Sequence, residues 1–302
     1  MITSPHNKLC IIFLMMIFAI RICAQHQNVY SNYLLNATSI NPAATGKDEA
    51  LDLNIYSRKQ WSGFDRSPFT SYIGLTVMIK KPSLNVGLLV QDDEIGFMKS
   101  QNILATYAYR IKFKKFKLSL GIQAGVQLLN YNLDKLQKVT ENDQVVINNQ
   151  SNKISFINGF GLYIHNTNFY GSFSMPYLYS NGGFNLGKTP IYTSIGFILK
   201  IRNEDLIKPS ILVRKIDGTN LTTDINIMYY YKSKYGIGFS YRHKNAIVAM
   251  VELVLKEQIK LAYSYEYSTT IIKKFQNGSH EVSLRYLFGK KNNIKNPRAL
   301  YF

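Results

Sequence analysis

The side chains that could do chemistry in this chain are few and scattered. Five histidines, eighteen carboxylates and two cysteines are spread over 302 residues. His280, Glu281 and Ser283 bring an acid, a base and a nucleophile close together, the composition a hydrolase needs. On a strand, however, His280 and Glu281 point to opposite faces. His165 and His243 fall in expected turns and read as solvated side chains. Asp92, Asp93 and Glu94 form an acidic run in an expected outer loop, where calcium ligation is conceivable. The run lacks the spaced ligands and defining glycine of a calcium loop, so it reads as solvated surface. Gly159, Gly161, Gly236 and Gly238 sit on strand patterns and form no phosphate cradle. They read as places where a bulky neighbour is admitted across a lumen or where a sheet curves. The expectation is a chain that is not an enzyme, with no catalytic residue, metal site or cofactor.

The N-terminus carries the one long apolar run. Lys8 supplies a positive start, Leu9 to Ile20 an apolar stretch, and Ile22-Cys23-Ala24 a small-residue end suited to cleavage before Gln25. We read residues 1–24 as a secretory signal peptide. The run is short for a spanning helix, and Arg21 interrupts it. Both cysteines, Cys10 and Cys23, lie within it, so a chain cleaved there has no thiol for a disulfide, a metal or a nucleophile.

From Leu51 onward the dominant period is two. Phe116, Leu118, Leu120, Ile122, Ala124, Val126 and Leu128 alternate with Lys117, Ser119, Gly121, Gln123, Gly125 and Gln127. A strand places these sets on opposite faces, one apolar and one small or polar. The pattern recurs in Leu51–Tyr56, Leu84–Gln91, Asp224–Tyr231, Tyr235–Arg242 and Ile259–Tyr267. Short, mostly basic turns (Lys80–Ser83, Lys112–Lys115, His165–Asn168, Lys232–Lys234, Lys256–Gln258) alternate with long connections (Lys59–Phe69, Asn130–Lys153, Pro176–Pro190, Ser268–Ser279). Outer-membrane barrels have short periplasmic turns and long outer loops, whereas a soluble sandwich has no reason to segregate its loops. The fold expected is all-β, a transmembrane antiparallel β-barrel of about 14 strands over residues 51–289. A periplasmic segment or plug precedes it at 25–50, and a basic periplasmic tail follows at 290–302.

The formal charge of +18 suits anionic lipid headgroups or an acidic partner. No basic helical stripe or RNA-binding aromatic motif accompanies it, so nucleic acid is not an expected partner.

Several segments in order resemble one family. Tyr30 and Tyr33 precede Asn41-Pro42-Ala43 and Gly46. Arg58-Lys59-Gln60-Trp61-Ser62-Gly63 follows, then Pro68-Phe69-Thr70. Asp93–Gly96 precedes Ala105–Arg110, and Lys208-Pro209-Ser210 precedes Val213. Tyr263-Ser264-Tyr265-Glu266, Ser279–Tyr286 and the tail Asn296-Pro297-Arg298 with Tyr301-Phe302 complete the set. Together they resemble the PorP/SprF family of Bacteroidetes outer-membrane proteins, which belong to the type IX secretion system. Glu266 departs from the aspartate usual there. The resemblance implies a barrel in the bacterial outer membrane, in contact with its lipid and with other type IX components. Its role would be to support secretion or cell-surface attachment of a partner bearing a type IX C-terminal domain, such as a gliding-type adhesin. A general or substrate-selective porin is the alternative, favoured by small lumen residues such as Ser119, Gly121 and Gly125.

The candidate partner-binding or family-motif residues are Asn41, Pro42, Gly46, Arg58, Gln60, Trp61, Phe64 and Pro68. Trp61 reads either as an interface anchor beside Arg58, Gln60 and Phe64 or as part of an interfacial aromatic girdle. Asn41-Pro42-Ala43 reads either as a plug or as a turn into the first strand.

Overall fold

The structure is a computed structural model that describes residues 33, 35–80, 83–131, 153–179, 189–202, 204–215, 221–256 and 258–288. The expected signal segment, the tail 290–302, and most of the connections after Tyr131 and Tyr179 lie outside the described residues. The strands are β1 (Leu51–Lys59), β2 (Phe69–Lys80), β3 (Leu84–Ile95), β4 (Met98–Lys112), β5 (Lys117–Tyr131), β6 (Lys153–His165), β7 (Phe169–Tyr179), β8 (Ile191–Phe197), β9 (Leu199–Arg202), β10 (Asp205–Lys215), β11 (Thr222–Tyr231), β12 (Tyr235–Arg242), β13 (Ala246–Leu255), β14 (Ile259–Ser268) and β15 (Ser279–Phe288).

Each strand pairs antiparallel with its neighbours, and β1 closes the circuit on β15 in register from Leu51 opposite Phe288 to Lys59 opposite His280. Both β8 and β9 pair with β10 and form one stave interrupted at Ile198, so the closed barrel has fourteen staves. Closure is required because an open edge in hydrocarbon would leave a row of amides without partners.

The alternation places side chains as a membrane barrel needs and a soluble sandwich would not. Outward positions carry exposed apolar groups such as Ile73, Leu88, Ile122, Ile225, Phe239 and Val282. Inward positions on the same strands carry Tyr72, Gln123, Asp224, Ser240, Glu281 and Arg285, all buried. The largest fully buried side chains include Arg110, Arg285, Tyr163, Tyr230, Lys208 and Lys260, so the interior is polar and aromatic and the exterior apolar.

Six short connections, including those around His165–Phe169 and Tyr231–Tyr235, gather at one end with the approach to β1 and the end of β15. The long connections lie at the other end, the outer one by their length. Two turns at that outer end are also tight, Gly96–Phe97 and His243–Asn245, so the segregation of lengths is incomplete. Gly96 takes a left-handed φ of +61° in the first of these, which lets β3 continue through its acidic run before it reverses.

Three expectations need correction. His165 is not a solvated turn residue but the last residue of β6, half-buried with its Nε2 enclosed. Asp92, Asp93 and Glu94 are not in a loop but in β3, opposite Ser71, Thr70 and Phe69 of β2. Asp93 faces the lumen, where a carboxylate is tolerated, while Lys99 bridges Asp92 and Glu94 at 3.0 Å each. The long connection after β7 begins beyond Tyr179 rather than at Pro176. Pro176 fits within the strand because the β6–β7 register shifts between Asn158 and Phe160, freeing its neighbourhood from ladder pairing.

Candidate functional site

The candidate site is the lumen, and the chain's own N-terminal segment occupies it. Asn41 caps a single 3-10 turn, Pro42–Ala44: its side-chain oxygen accepts from the Ala43 amide at 2.9 Å, and Pro42 fills the first helical position. The turn packs against the inner faces of β4, β5 and β6. The Asn41 side-chain amide donates to the Leu162 carbonyl at 2.9 Å and to the Phe173 carbonyl at 3.4 Å, a facing pair on β6 and β7. Ser174 Oγ donates to the Ile40 carbonyl at 2.6 Å, and Thr45 Oγ1 to Thr106 Oγ1 at 2.9 Å. Further along, Asn226 Nδ2 donates to the Tyr33 hydroxyl at 2.5 Å. The segment therefore crosses the lumen from β4 to β11.

Glycines in the wall make room for it. A Cβ on Gly121 would lie 2.2 Å from the Ala43 nitrogen, and one on Gly161 would lie 2.0 Å from Asn41 Oδ1. Ala43 is wholly buried and Asn41 nearly so. Replacing Asn41 by alanine removes the cap and both bonds to the wall. We expect a loss of about 1–3 kcal/mol, read as a lower unfolding midpoint in urea.

Two polar clusters bracket the segment. At the short-turn end, Arg285 pairs with Asp52 at 2.9 Å and with Asp48, which also pairs with Lys47 at 3.3 Å. Lys260 meets Glu252 at 2.6 Å, and the Tyr230 hydroxyl donates to the same carboxylate at 2.5 Å. Beside them, Glu49 accepts from Lys117 at 2.7 Å. Burial alone would raise the Glu49 carboxyl, but Lys117, with Lys112 and Arg110 nearby, holds it below the usual carboxylate range.

At the outer end, buried arginines and carboxylates from separate staves form a chain of ion pairs. Glu281 on β15 pairs with Arg58 on β1 at 3.2 Å, and Arg58 with Glu266 on β14 at 3.0 Å. Glu266 also holds Arg242 on β12 at 2.7 Å. Asp224 on β11 joins Arg242 at 3.3 Å to Arg214 on β10 at 3.1 Å. This belt ties six staves together inside the wall. The glutamate that departs from the family pattern thus bridges two guanidiniums.

The family-motif residues are dispersed over three places. Asn41, Pro42 and Gly46 are in the lumen, with Gly46 at a φ of +63° against Asn85. Arg58 is buried in the charge belt and not beside Trp61 on the surface. Gln60, Trp61, Phe64 and Pro68 belong to the outer loop 60–68. There the Trp61 amide donates to Ser279 Oγ at 3.1 Å, and the Gln60 amide to the Pro68 carbonyl at 2.9 Å. Pro68 is buried, whereas Phe64 is 49% exposed. The loop is tied on one side to residues 277–279 and on the other to the β3–β4 turn, where Arg66 covers the Phe97 ring at 4.1 Å. A cleft of about 340 Å³ opens beside it, lined by Lys59, Arg66, Phe69, Glu94, Phe97 and Lys99 among others.

His280, Glu281 and Ser283 do not converge. His280 points outward, its Nδ1 at 2.7 Å from the Tyr263 hydroxyl, while Glu281 and Ser283 face the lumen. Among the described residues no group of three His, Cys, Asp or Glu side chains could hold a metal ion. Sequence reasoning missed Asp224, Arg242, Arg214 and Glu252. Their signal was present as charged residues at inward positions of otherwise apolar strands.

Among solved structures, the fold is similar to Omp33 of Acinetobacter baumannii (7% identity, 80% of this chain and 100% of that chain, TM-score 0.48). It is also similar to a TodX monoaromatic hydrocarbon channel variant (8% identity, 86% and 95%, TM-score 0.49). The CymD monoaromatic hydrocarbon channel resembles it as well (10% identity, 87% and 94%, TM-score 0.47). No curated protein sequence matches it significantly. The model of the type IX secretion system membrane protein PorP/SprF family matches residues 22–286, nearly the whole barrel chain, and the protein is therefore a PorP/SprF-family β-barrel of the bacterial outer membrane.

Proposed function

We propose that this barrel is a closed component of the type IX secretion system that supports secretion or surface attachment of a partner protein. It does this with its surfaces and not as a conduit. The observation that carries this reading is the lumen occupied by the chain's own residues 33 and 35–47, held by paired polar contacts to β4, β6, β7 and β11. A filled lumen weighs against the porin alternative, since diffusion needs a continuous aqueous path.

On this reading the partner carries a type IX C-terminal domain, a gliding-type adhesin being one example, and other type IX components meet the barrel too. The outer loop 60–68 offers Trp61 and exposed Phe64 on a backbone braced from both sides, a rigid presentation suited to an interface anchor. The N-terminal apolar run acts as a cleaved signal peptide that delivers the chain to the periplasm.

Deleting the gene should lower the surface display of at least one type IX cargo. Complementation with a Trp61→Ala/Phe64→Ala variant should restore the barrel to normal levels without restoring display. Surface proteomics reads both outcomes; unchanged display of every cargo in the deletion strain contradicts the proposal.

A further inference from the structure

We propose that the short-turn rim of the barrel is a collar for the anionic phospholipid headgroups of the periplasmic leaflet. This goes beyond the secretion role and does not depend on it. The rim carries exposed cations in three connections and on β9: Lys114 and Lys115 between β4 and β5, Lys200 and Arg202 on β9, Lys232 and Lys234 between β11 and β12, and Lys256 after β13.

Of the rim carboxylates, Glu49 and Asp205 are engaged, and Glu204 stands exposed beside Ser233. Glu49 is taken by Lys117 and Lys112. Asp205 accepts from the Tyr229 hydroxyl and the Lys232 amide, both at 2.8 Å. Among the described residues no carboxylate forms an ion pair with Lys114, Lys115, Lys200, Lys232 or Lys234.

Position favours lipid over a protein partner. Exposed apolar groups lie in and beside the same turns: Phe113 stacked on Phe116 at 4.6 Å within one, and Leu199, Ile201, Tyr235 and Leu255 at the adjoining strand ends. Lys232 Nζ sits 5.1 Å from the ring of outward-facing Tyr231. Aromatic and aliphatic residues at strand ends mark the hydrocarbon boundary, so these cations stand at phosphate depth. They are also spread around the circumference, since the β4–β5 and β11–β12 turns lie on opposite sides of the closed sheet. One globular partner would contact a single sector, whereas headgroups surround them all.

The full-length barrel is reconstituted in bilayers of equal parts phosphatidylcholine and phosphatidylglycerol, and the lipids it retains are weighed by native mass spectrometry. The wild type should retain phosphatidylglycerol about fivefold over its bulk share, the scale expected for single cations at an anionic surface. Raising the salt should erase that preference. Lys114→Gln/Lys115→Gln/Lys232→Gln/Lys234→Gln should fall to the bulk ratio, while arginine at the same four positions should keep the preference. Should the quadruple variant not fold, as judged by heat-modifiable gel mobility, Lys114→Gln/Lys115→Gln alone should still lower the enrichment. Retention at the bulk ratio by the wild type, or an unchanged preference in the glutamine variants, overturns the proposal and leaves an acidic soluble partner as the better occupant of the rim.

Discussion

Replacing Gly121 with valine should drive the inner segment off the wall and cost the barrel about 2–3 kcal/mol. The contact that forbids a side chain there is backbone: a Cβ would meet the Ala43 nitrogen at 2.2 Å and the Pro42 carbonyl carbon at 2.4 Å. Neither atom can rotate away, so the whole turn has to move. At Gly161 the nearest atom is Asn41 Oδ1, the end of a side chain, and the same substitution there should cost less. A disulfide reports the displacement. Thr45 Oγ1 and Thr106 Oγ1 lie 2.9 Å apart, close enough for cysteines at these positions to bridge in the oxidising periplasm. The native cysteines, Cys10 and Cys23, both precede the described residues. The Thr45→Cys/Thr106→Cys pair should oxidise readily in the parent and poorly with Gly121→Val. Equal oxidation and equal unfolding midpoints in the two backgrounds would mean that the segment does not rest on β5.

The second large effect is expected at Glu266. Its carboxylate holds Arg58 at 3.0 Å and Arg242 at 2.7 Å, and all three side chains are buried in the wall. Glu266→Ala leaves two guanidiniums short of a partner and should destabilise by about 3–5 kcal/mol, the range for breaking a buried pair from one side. Arg58 keeps Glu281 and Arg242 keeps Asp224, so the barrel should remain closed but unfold at lower urea. Glu266→Asp, one methylene shorter, should retain one of the two contacts and lose about half as much. Urea titrations in lipid vesicles separate the three chains. Indistinguishable midpoints for Glu266→Ala and the parent would remove the belt from any account of stability.

The barrel was legible in the sequence because the bilayer enforces a period of two on every stave. Leu118 to Leu128 and Ile259 to Tyr267 show it without help from any neighbour. The acidic run Asp92–Glu94 misled for a physical reason. Charge usually marks a loop, but β3 continues past the apolar band, where Asp93 can face a polar interior and Lys99 can neutralise its outward neighbours. The belt's charges stood at inward positions of their strands, but which of them pair was not legible, because the partners meet only across the lumen wall of the assembled barrel. Arg58 and Glu281 are brought together only when β1 closes on β15, and no local pattern encodes that pairing. The same closure separates Arg58 from Trp61, three residues away, into lumen and outer loop. Gly161 announced close packing and Gly121 read as a small lumen residue of a pore, but the group packed on both, a turn some eighty or more residues earlier, is a tertiary fact.

Ionic current through the wild-type barrel in a planar bilayer tests the closed lumen most directly. With residues 35–47 in place, the barrel should insert without steady conductance steps. Gly121→Val, which displaces them, should conduct. Stable ohmic steps from the wild type, as large as those of the variant, would contradict a lumen closed by its own chain and return the protein to the reading of a porin.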